Sequence, residues 1–280
     1  MNSYRIGVMQ GRLLPKYMGR YQAHPLGYWQ EEFALARALG LEFIEFILDH
    51  NDVEMNPLMS EEGAREIKAL SDETGVRVVS ICADYFMEAP LSSASPDVSA
   101  RSVEVLRRLT QNAGRFLGVR DIVIPCVDQS SLKDDEEIER FAGKVLPLAG
   151  LAADNGVRFS LETDLAPRPF ADLLTRLGSD VFSVNYDTGN SASLGYDVRE
   201  EFAAYGKRIT DVHIKDRMRG GGSVVLGTGD TDFDTFFALL GEVGYDGPLI
   251  MQAYRDDEGV AVFKTQLQWL SDRLGLSTQR

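Results

Sequence analysis

The stretch EEIERFAGKVLPLAGLAADNGVRFSLET, residues 136–163, contains the structural unit on which the fold prediction depends. Its first twenty residues place apolar side chains at three- and four-residue spacing, which is typical of an amphipathic helix. Gly156 follows, and glycine ends helices readily because it adopts the left-handed conformation without a Cβ clash. The short, largely apolar run VRFSLET then predicts a strand that is buried on both faces of a parallel sheet.

The same unit recurs along the chain. Helical spacing is also found at 29–39, 61–73, 98–117, 232–243 and 260–274, and Ser60 and Asp232 are candidate N-caps. Glycines that end helix-like segments are Gly40, Gly75, Gly118, Gly156, Gly178, Gly206, Gly244 and Gly275.

Short strand-like runs follow the first seven of these glycines, and YRIGVMQ at the start supplies the first strand. Eight strands that alternate with helices predict an α/β fold with right-handed crossovers, either a closed barrel or an open doubly wound sheet. Eight even units over 280 residues favour the (β/α)8 TIM barrel, and we expect residues 1–280 to form a single domain.

Composition limits the partners of the chain. The formal net charge of −14 disfavours binding to nucleic acid and to anionic membrane surfaces, while small polar substrates and divalent cations remain compatible with it. Cys82 and Cys126 lie in apolar runs and predict buried thiols, which fit a reducing compartment. No apolar run is long enough to span a bilayer and no signal-peptide pattern is present, so the cytoplasm is expected. A homo-oligomer is left open.

Polar residues at the ends of the strands indicate where the chemistry lies. In a (β/α)8 barrel the carboxyl ends of the strands meet at one cleft, so their polar side chains converge. Three insertions, 11–27, 85–97 and 217–230, follow strands and are therefore expected to wall this cleft. The polar strand-end residues are Gln10, Arg12, Glu45, Asp84, Asp128, Glu162, Asp187, His213 and Gln252.

Glu162, Asp187 and His213 fall at matching places on three consecutive predicted strands. Two carboxylates and one imidazole make a site for one divalent Mn, Mg, Co or Zn ion, with positions left open for water and substrate. Each residue taken alone is equally compatible with an isolated polar strand end. The three in register favour the metal site, because buried charges are rare without partners or a metal.

These residues stand in motifs that resemble the xylose isomerase-like TIM barrel superfamily, which includes sugar isomerases and epimerases. The matching pieces are LE at 161–162, DTGN at 187–190, VHIKD at 212–216, GTGDTDF at 227–233 and GYDGPL at 244–249. The resemblance implies that Glu162, Asp187 and His213 are metal ligands. It also implies substrate contacts for Asn190 and Arg219.

Gln252 departs from the pattern, because the epimerases and isomerases usually carry a glutamate at this fourth ligand position. A carboxamide oxygen can bind a metal but cannot act as a base, so the usual proton exchange between two glutamates should not operate. We therefore expect Glu162 to be the catalytic base, with Lys215, Asp216 or water supplying the second proton step. Metal affinity should be lower than in the family pattern, because the ligand set loses one negative charge.

Three functions remain open at this stage. The first is a metal-dependent sugar or sugar-phosphate isomerase or epimerase that transfers a proton next to a carbonyl. The second is a metal-dependent lyase or dehydratase on a keto-sugar or cyclitol, and the third is a non-catalytic sugar-binding barrel. In each, Gln10, Glu45 and Asp84 are candidates for hydrogen bonds to a small sugar-like substrate, and Arg12 and Arg255 for a phosphate or carboxylate.

Overall fold

The computed structural model describes residues 4–276 and contains a closed barrel of eight parallel strands, which confirms the predicted fold class. Around the barrel each strand pairs with its sequence neighbours, and the last strand pairs with the first. The strands are β1 Arg5–Met9, β2 Phe43–Ile47, β3 Arg77–Cys82, β4 Asp121–Cys126, β5 Arg158–Thr163, β6 Phe182–Asp187, β7 Ile209–Ile214 and β8 Pro248–Met251.

Helices follow the strands in sequence, and the longer ones cover the outside of the barrel. They are α1 Glu31–Ala38, α2 Glu61–Thr74, α3 Tyr85–Glu88, α4 Pro96–Asn112, α5 Asp135–Val145, α6 Ala149–Asp154, α7 Pro167–Leu177, α8 Thr188–Leu194, α9 Val198–Tyr205, α10 Phe233–Glu242 and α11 Val260–Leu274. No helix among the described residues is long and apolar enough to cross a membrane.

Local chemistry accounts for most helix ends. The side chain of Ser60 accepts a hydrogen bond from the Gly63 N–H at the start of α2, and Asp232 does the same for Thr235 at the start of α10. Seven of the eight punctuating glycines have positive φ, as predicted. Gly206 is the exception with φ −52°, because α9 continues there into a short 3-10 turn that leads into β7.

Alternation along the strands separates two packing regions. Side chains on one side of each strand pack against the helices in the main hydrophobic core. The other side faces the barrel interior, where Met9, Phe43, Ile47, Val123 and Ile250 form a smaller apolar cluster. Because side chains alternate with a period of two, polar residues near the strand ends emerge above this cluster into the cleft.

Both cysteines are buried free thiols.

Candidate metal centre

Strands β5, β6 and β7 bring Glu162, Asp187 and His213 together at the C-terminal end of the barrel. Asp187 is directly opposite His213 in the register of β6 and β7. One ligand atom from each of the three residues lies within 4.8 Å of the other two. His213 Nδ1 is 3.6 Å from Glu162 Oε2 and 4.0 Å from Asp187 Oδ2.

The two carboxylates lie almost entirely out of contact with solvent. Burial, followed by the repulsion of Asp187, raises the pKa of Glu162 to about 7. The amides of Asn185 and Asn190 donate hydrogen bonds to the two oxygens of Glu162, at 3.1 and 2.6 Å. Glu162 is therefore held in one orientation and titrates near neutral pH, which suits a group that takes up and returns a proton.

The orientation of His213 is fixed from inside the barrel. Its Nε2 lies 2.6 Å from Glu45 Oε1, and the Ser80 hydroxyl donates to the other Glu45 oxygen. A proton on Nε2 donates to Glu45 and leaves Nδ1 as the nitrogen that faces Glu162 and Asp187. This arrangement, with a carboxylate behind the imidazole, is the usual support of a metal-binding histidine.

Lys215 joins two of the candidate ligand residues. Its Nζ donates to Gln252 Oε1 at 2.8 Å and to Asp187 Oδ2 at 3.1 Å. The amide of Gln252 in turn donates to Gln22 Oε1 at 3.1 Å, which directs the Gln252 oxygen towards the lysine. The ammonium group thus bridges an Asp187 oxygen and the Gln252 oxygen.

The donor set fits a divalent cation, because two buried carboxylates repel each other and a neutral imidazole nitrogen completes the group. A second triplet, Glu45, Cys82 and His213, has similar spacing. It fits less well: burial raises the pKa of the Cys82 thiol well above its ordinary value, and both Glu45 oxygens already accept hydrogen bonds.

A cavity of about 480 Å³ opens above the centre. Parts of all three predicted insertions wall it, including residues 20–22, 87–88 and 222–223. Polar contacts connect the wall to the floor: Arg12 and Gln252 each donate to Gln22, and Gln22 donates to Asp84 at 2.8 Å. The predicted site residues that line this cavity are Arg12, Asp84, Glu162, Asn190, Lys215 and Gln252.

Asp216, predicted as a candidate for the second proton step and for substrate binding, and the remaining predicted substrate contacts lie elsewhere and have other partners. Asp216 accepts hydrogen bonds from the backbone of residues 227, 229 and 231, and so anchors the loop after β7. Arg255 donates to the backbone oxygens of residues 11 and 14. Arg219 lies beside Gly195 in a separate cavity, while Gln10 and Glu45 are fully buried below the centre.

Three residues that bond to the predicted site residues were not predicted from the sequence. Asn185 stands two residues before Asp187 on β6 and therefore shares its side of the strand, a signal that alternation could have supplied. Arg217 donates to Asn190 Oδ1 at 2.8 Å and lies two residues after Lys215. Gln22 comes from the insertion after β1, where no periodic pattern places a side chain.

Comparison with known proteins shows similarity both in sequence and in structure. L-ribulose-5-phosphate 3-epimerase UlaE of Salmonella paratyphi C is 29% identical over 251 residues, covering 85% of this chain and 87% of the relative. The crystal structure of 3-keto-D-glucoside 4-epimerase YcjR from E. coli matches with a TM-score of 0.74 at 16% identity, covering 96% of this chain and 100% of that one. A xylose isomerase-like TIM barrel protein from Mycobacterium smegmatis, in complex with magnesium, matches with a TM-score of 0.70 at 20% identity over 97% and 98% of the two chains.

The two structural matches agree with the closed eight-stranded barrel, and the model of one protein family matches residues 33–273. The chain belongs to the xylose isomerase-like TIM barrel family.

Proposed function

We propose that this protein is a metal-dependent sugar or sugar-phosphate epimerase or isomerase that transfers a proton at a carbon next to a carbonyl. The observation that carries the proposal is the grouping of the buried Glu162 carboxylate with Asp187 and His213, where Glu162 lines a cavity that also presents other polar side chains. The names of the epimerase relatives agree with this chemistry.

A divalent Mn, Mg, Co or Zn ion held by Glu162, Asp187, His213 and Gln252 would polarise the substrate carbonyl and stabilise the negative charge that forms on its oxygen. The magnesium complex of the related barrel supports a divalent ion, while the identity of the metal here belongs to the proposal. We expect Lys215 to release Asp187 and Gln252 when such an ion is bound, because the ion and the ammonium group are both positively charged and would lie beside the same oxygens.

Glu162 acts as the base. Its carboxylate can take up the proton from the carbon next to the carbonyl, and its side chain lines the cavity in which the substrate would lie. The amides of Asn185 and Asn190 keep the carboxylate in place during this step.

Lys215 supplies the second proton step, because Gln252 replaces the usual second glutamate and a carboxamide cannot take up or donate the proton. The lysine ammonium already lies 2.8 Å from the Gln252 oxygen and therefore reaches the same part of the cavity. Once released from Asp187, it can donate a proton to the substrate or stabilise a developing negative charge.

Contacts in the cavity favour a polyhydroxylated substrate. Asp84 presents a carboxylate and Asn190 an amide, both suited to hydroxyls, and the Arg12 guanidinium lies beside Gln22 at the cavity wall. We propose these three as substrate-binding residues. A cavity of about 480 Å³ accommodates a monosaccharide or a sugar phosphate.

One contact favours a dehydratase as the second candidate. The Asn190 amide donates a hydrogen bond to Glu162, and the Asn190 oxygen lies 3.5 Å from Lys215 Nζ. The candidate base Glu162 and the candidate acid Lys215 therefore both contact the side chain of Asn190. Base and acid on the same side of a substrate suit the removal of water from a keto-sugar or cyclitol.

Solvent exchange separates these functions. The protein, loaded with Mn²⁺, is incubated with ketoses and ketose phosphates in D₂O, and products are followed by NMR. Deuterium at a carbon next to the carbonyl in an intact sugar supports the epimerase or isomerase, and loss of water with a new carbonyl supports the dehydratase. Saturable sugar binding with neither change would refute both and leave a sugar-binding barrel.

Glu162→Gln should abolish the exchange, because the carboxamide cannot take up the proton. Glu88→Gln is the matched control, since Glu88 lines the rim of the same cavity with its side chain 44% exposed and pairs with His50. Equal activity in the Glu162 variant would overturn the assignment of the base.

We also propose that residues 1–280 act as one domain in the cytoplasm, alone or as a homo-oligomer, on a small-molecule substrate without nucleic acid or membrane partners. The acidic net charge of −14 supports the exclusion of nucleic acid and anionic membranes.

A further inference from the structure

A second polar cavity lies at the opposite, N-terminal end of the barrel and plays no part in the proposed reaction. It measures about 350 Å³ and is lined by the starts of several strands. Its cationic residues are Arg5, Arg77, Arg120, Arg158 and Lys207.

The repeated unit of the fold produces this arrangement. The tripeptide Gly-Val-Arg occurs at 75–77, 118–120 and 156–158, each time between a helix and a strand. In each copy the glycine has positive φ and ends the preceding helical segment, the valine is buried, and the arginine lies at or just before the strand start. Because the strands are parallel and close into a barrel, equivalent arginines converge at one end.

Four of the five cations lack a carboxylate partner within the described residues. Arg158 is paired, donating to both oxygens of Asp121 at 2.9 and 2.7 Å. For Arg5, Arg77, Arg120 and Lys207, no ion pair is formed within residues 4–276.

Two of these guanidinium groups lie over the same aromatic ring. Arg5 is 5.1 Å and Arg77 is 5.0 Å from the centre of the Phe43 ring. Their charges are therefore at most about 10 Å apart, which is roughly one Debye length at about 0.1 M salt, so their mutual repulsion is only partly screened. Phe43 holds both charges at the mouth of the barrel interior.

The cavity carries an excess of positive charge, whereas the protein as a whole is negatively charged. Asp121 and Asp246 are its lining carboxylates, so five cations leave an excess of three positive charges in a chain whose net charge is −14. An anion of two or three charges would remove the repulsion, and guanidinium groups bind phosphate oxygens through paired hydrogen bonds.

We propose that this cavity binds a small multivalent anion of phosphate chemistry, either a free phosphate or pyrophosphate or the phosphate group of a small ester. The site is separate from the metal centre, so binding there does not depend on the proposed reaction. Arg5, Arg77, Arg120 and Lys207 provide the charges that are free to bind it.

Isothermal titration with pyrophosphate, phosphate and glucose 6-phosphate tests the proposal, at constant ionic strength and without divalent cations. Saturable binding of the free anions or of the ester identifies which source the cavity accepts. The double variant Arg77→Gln/Arg120→Gln should lower the affinity of the best ligand roughly tenfold or more.

Arg168→Gln/Lys264→Gln is the control, because it removes the same charge from two exposed residues outside the cavity. Lys207→Gln, also exposed, gives a second variant if the first is unstable, and circular dichroism checks that each is folded. Absence of saturable binding, unchanged affinity in the cavity variants, or an equal loss in the control would each overturn the proposal.

Discussion

Replacing Gln252 by glutamate should convert a weak metal site into a stronger one. Gln252 Oε1 and Asp187 Oδ2 both lie about 3 Å from the Lys215 ammonium, so a cation at that position is in direct contact with residue 252. The change Gln252→Glu keeps the shape of the side chain and adds a full negative charge to a position that is 5% exposed.

The size of the effect follows from competition between the metal and Lys215. At about 4 Å, two unit charges attract by roughly 4 kcal/mol at the effective dielectric constant of a protein site. The new carboxylate attracts a divalent ion about twice as strongly as it attracts the lysine ammonium. Roughly half of the attraction energy of the ion therefore remains as a preference for the metal over the lysine. Burial of the new carboxylate reduces this further, which leaves about 1–3 kcal/mol, or roughly a 5- to 150-fold tighter metal affinity.

Titration calorimetry with Mn²⁺ and Mg²⁺ measures this affinity in the wild-type protein and in the variant. Gln129→Glu is the matched control, because Gln129 lines the same cavity on an exposed position and adds the same charge away from Lys215. Unchanged or weaker metal binding in Gln252→Glu, or an equal gain in Gln129→Glu, would refute the assignment of Gln252 as the fourth ligand.

Three further predictions concern stability and loop order. Burial lowers the pKa of His24 to about 3 from its ordinary 6.5, so the unfolded chain takes up the proton first; stability present above pH 6.5 should fall by at most about 5 kcal/mol as pH drops towards 3. Urea unfolding at several pH values should show a smaller loss for His24→Phe, whereas the exposed His50→Phe should keep it. Gly63→Ala in α2 should lower the free energy of unfolding by about 1–3 kcal/mol, since its Cβ would collide with backbone, and Gly143→Ala in α5, which meets open space, should raise it by up to about 1 kcal/mol; equal effects in urea melts would contradict this. Asp216→Ala should speed proteolytic cleavage within 217–231, because three backbone N–H groups lose their acceptor, and an unchanged cleavage rate would show that the loop is held by other contacts.

Much of the barrel could be predicted from the sequence because one local unit repeats. Glycine after an amphipathic helix and a short apolar run each have a direct physical meaning, and their alternation specifies a parallel sheet. Gly206 shows the limit, since a 3-10 turn ends that segment without a left-handed residue.

The grouping of Glu162, Asp187 and His213 could also be predicted, because parallel strands place their carboxyl ends on one face. The hydrogen-bond partners of the individual side chains could not be predicted. The bond from Lys215 to Gln252 depends on rotamers, which sequence periodicity does not specify. For the same reason Arg255, in a polar loop near the cleft, was expected to reach the substrate, whereas the structure shows it bound to backbone oxygens.

The most direct test of the central claim is a crystal structure of the protein grown with Mn²⁺ and measured for anomalous scattering. The account predicts one strong peak within about 2.5 Å of Glu162, Asp187 and His213, with the Lys215 ammonium displaced from Asp187. A structure with no peak at these residues, and with Lys215 still bonded to Asp187 in saturating Mn²⁺, would contradict it.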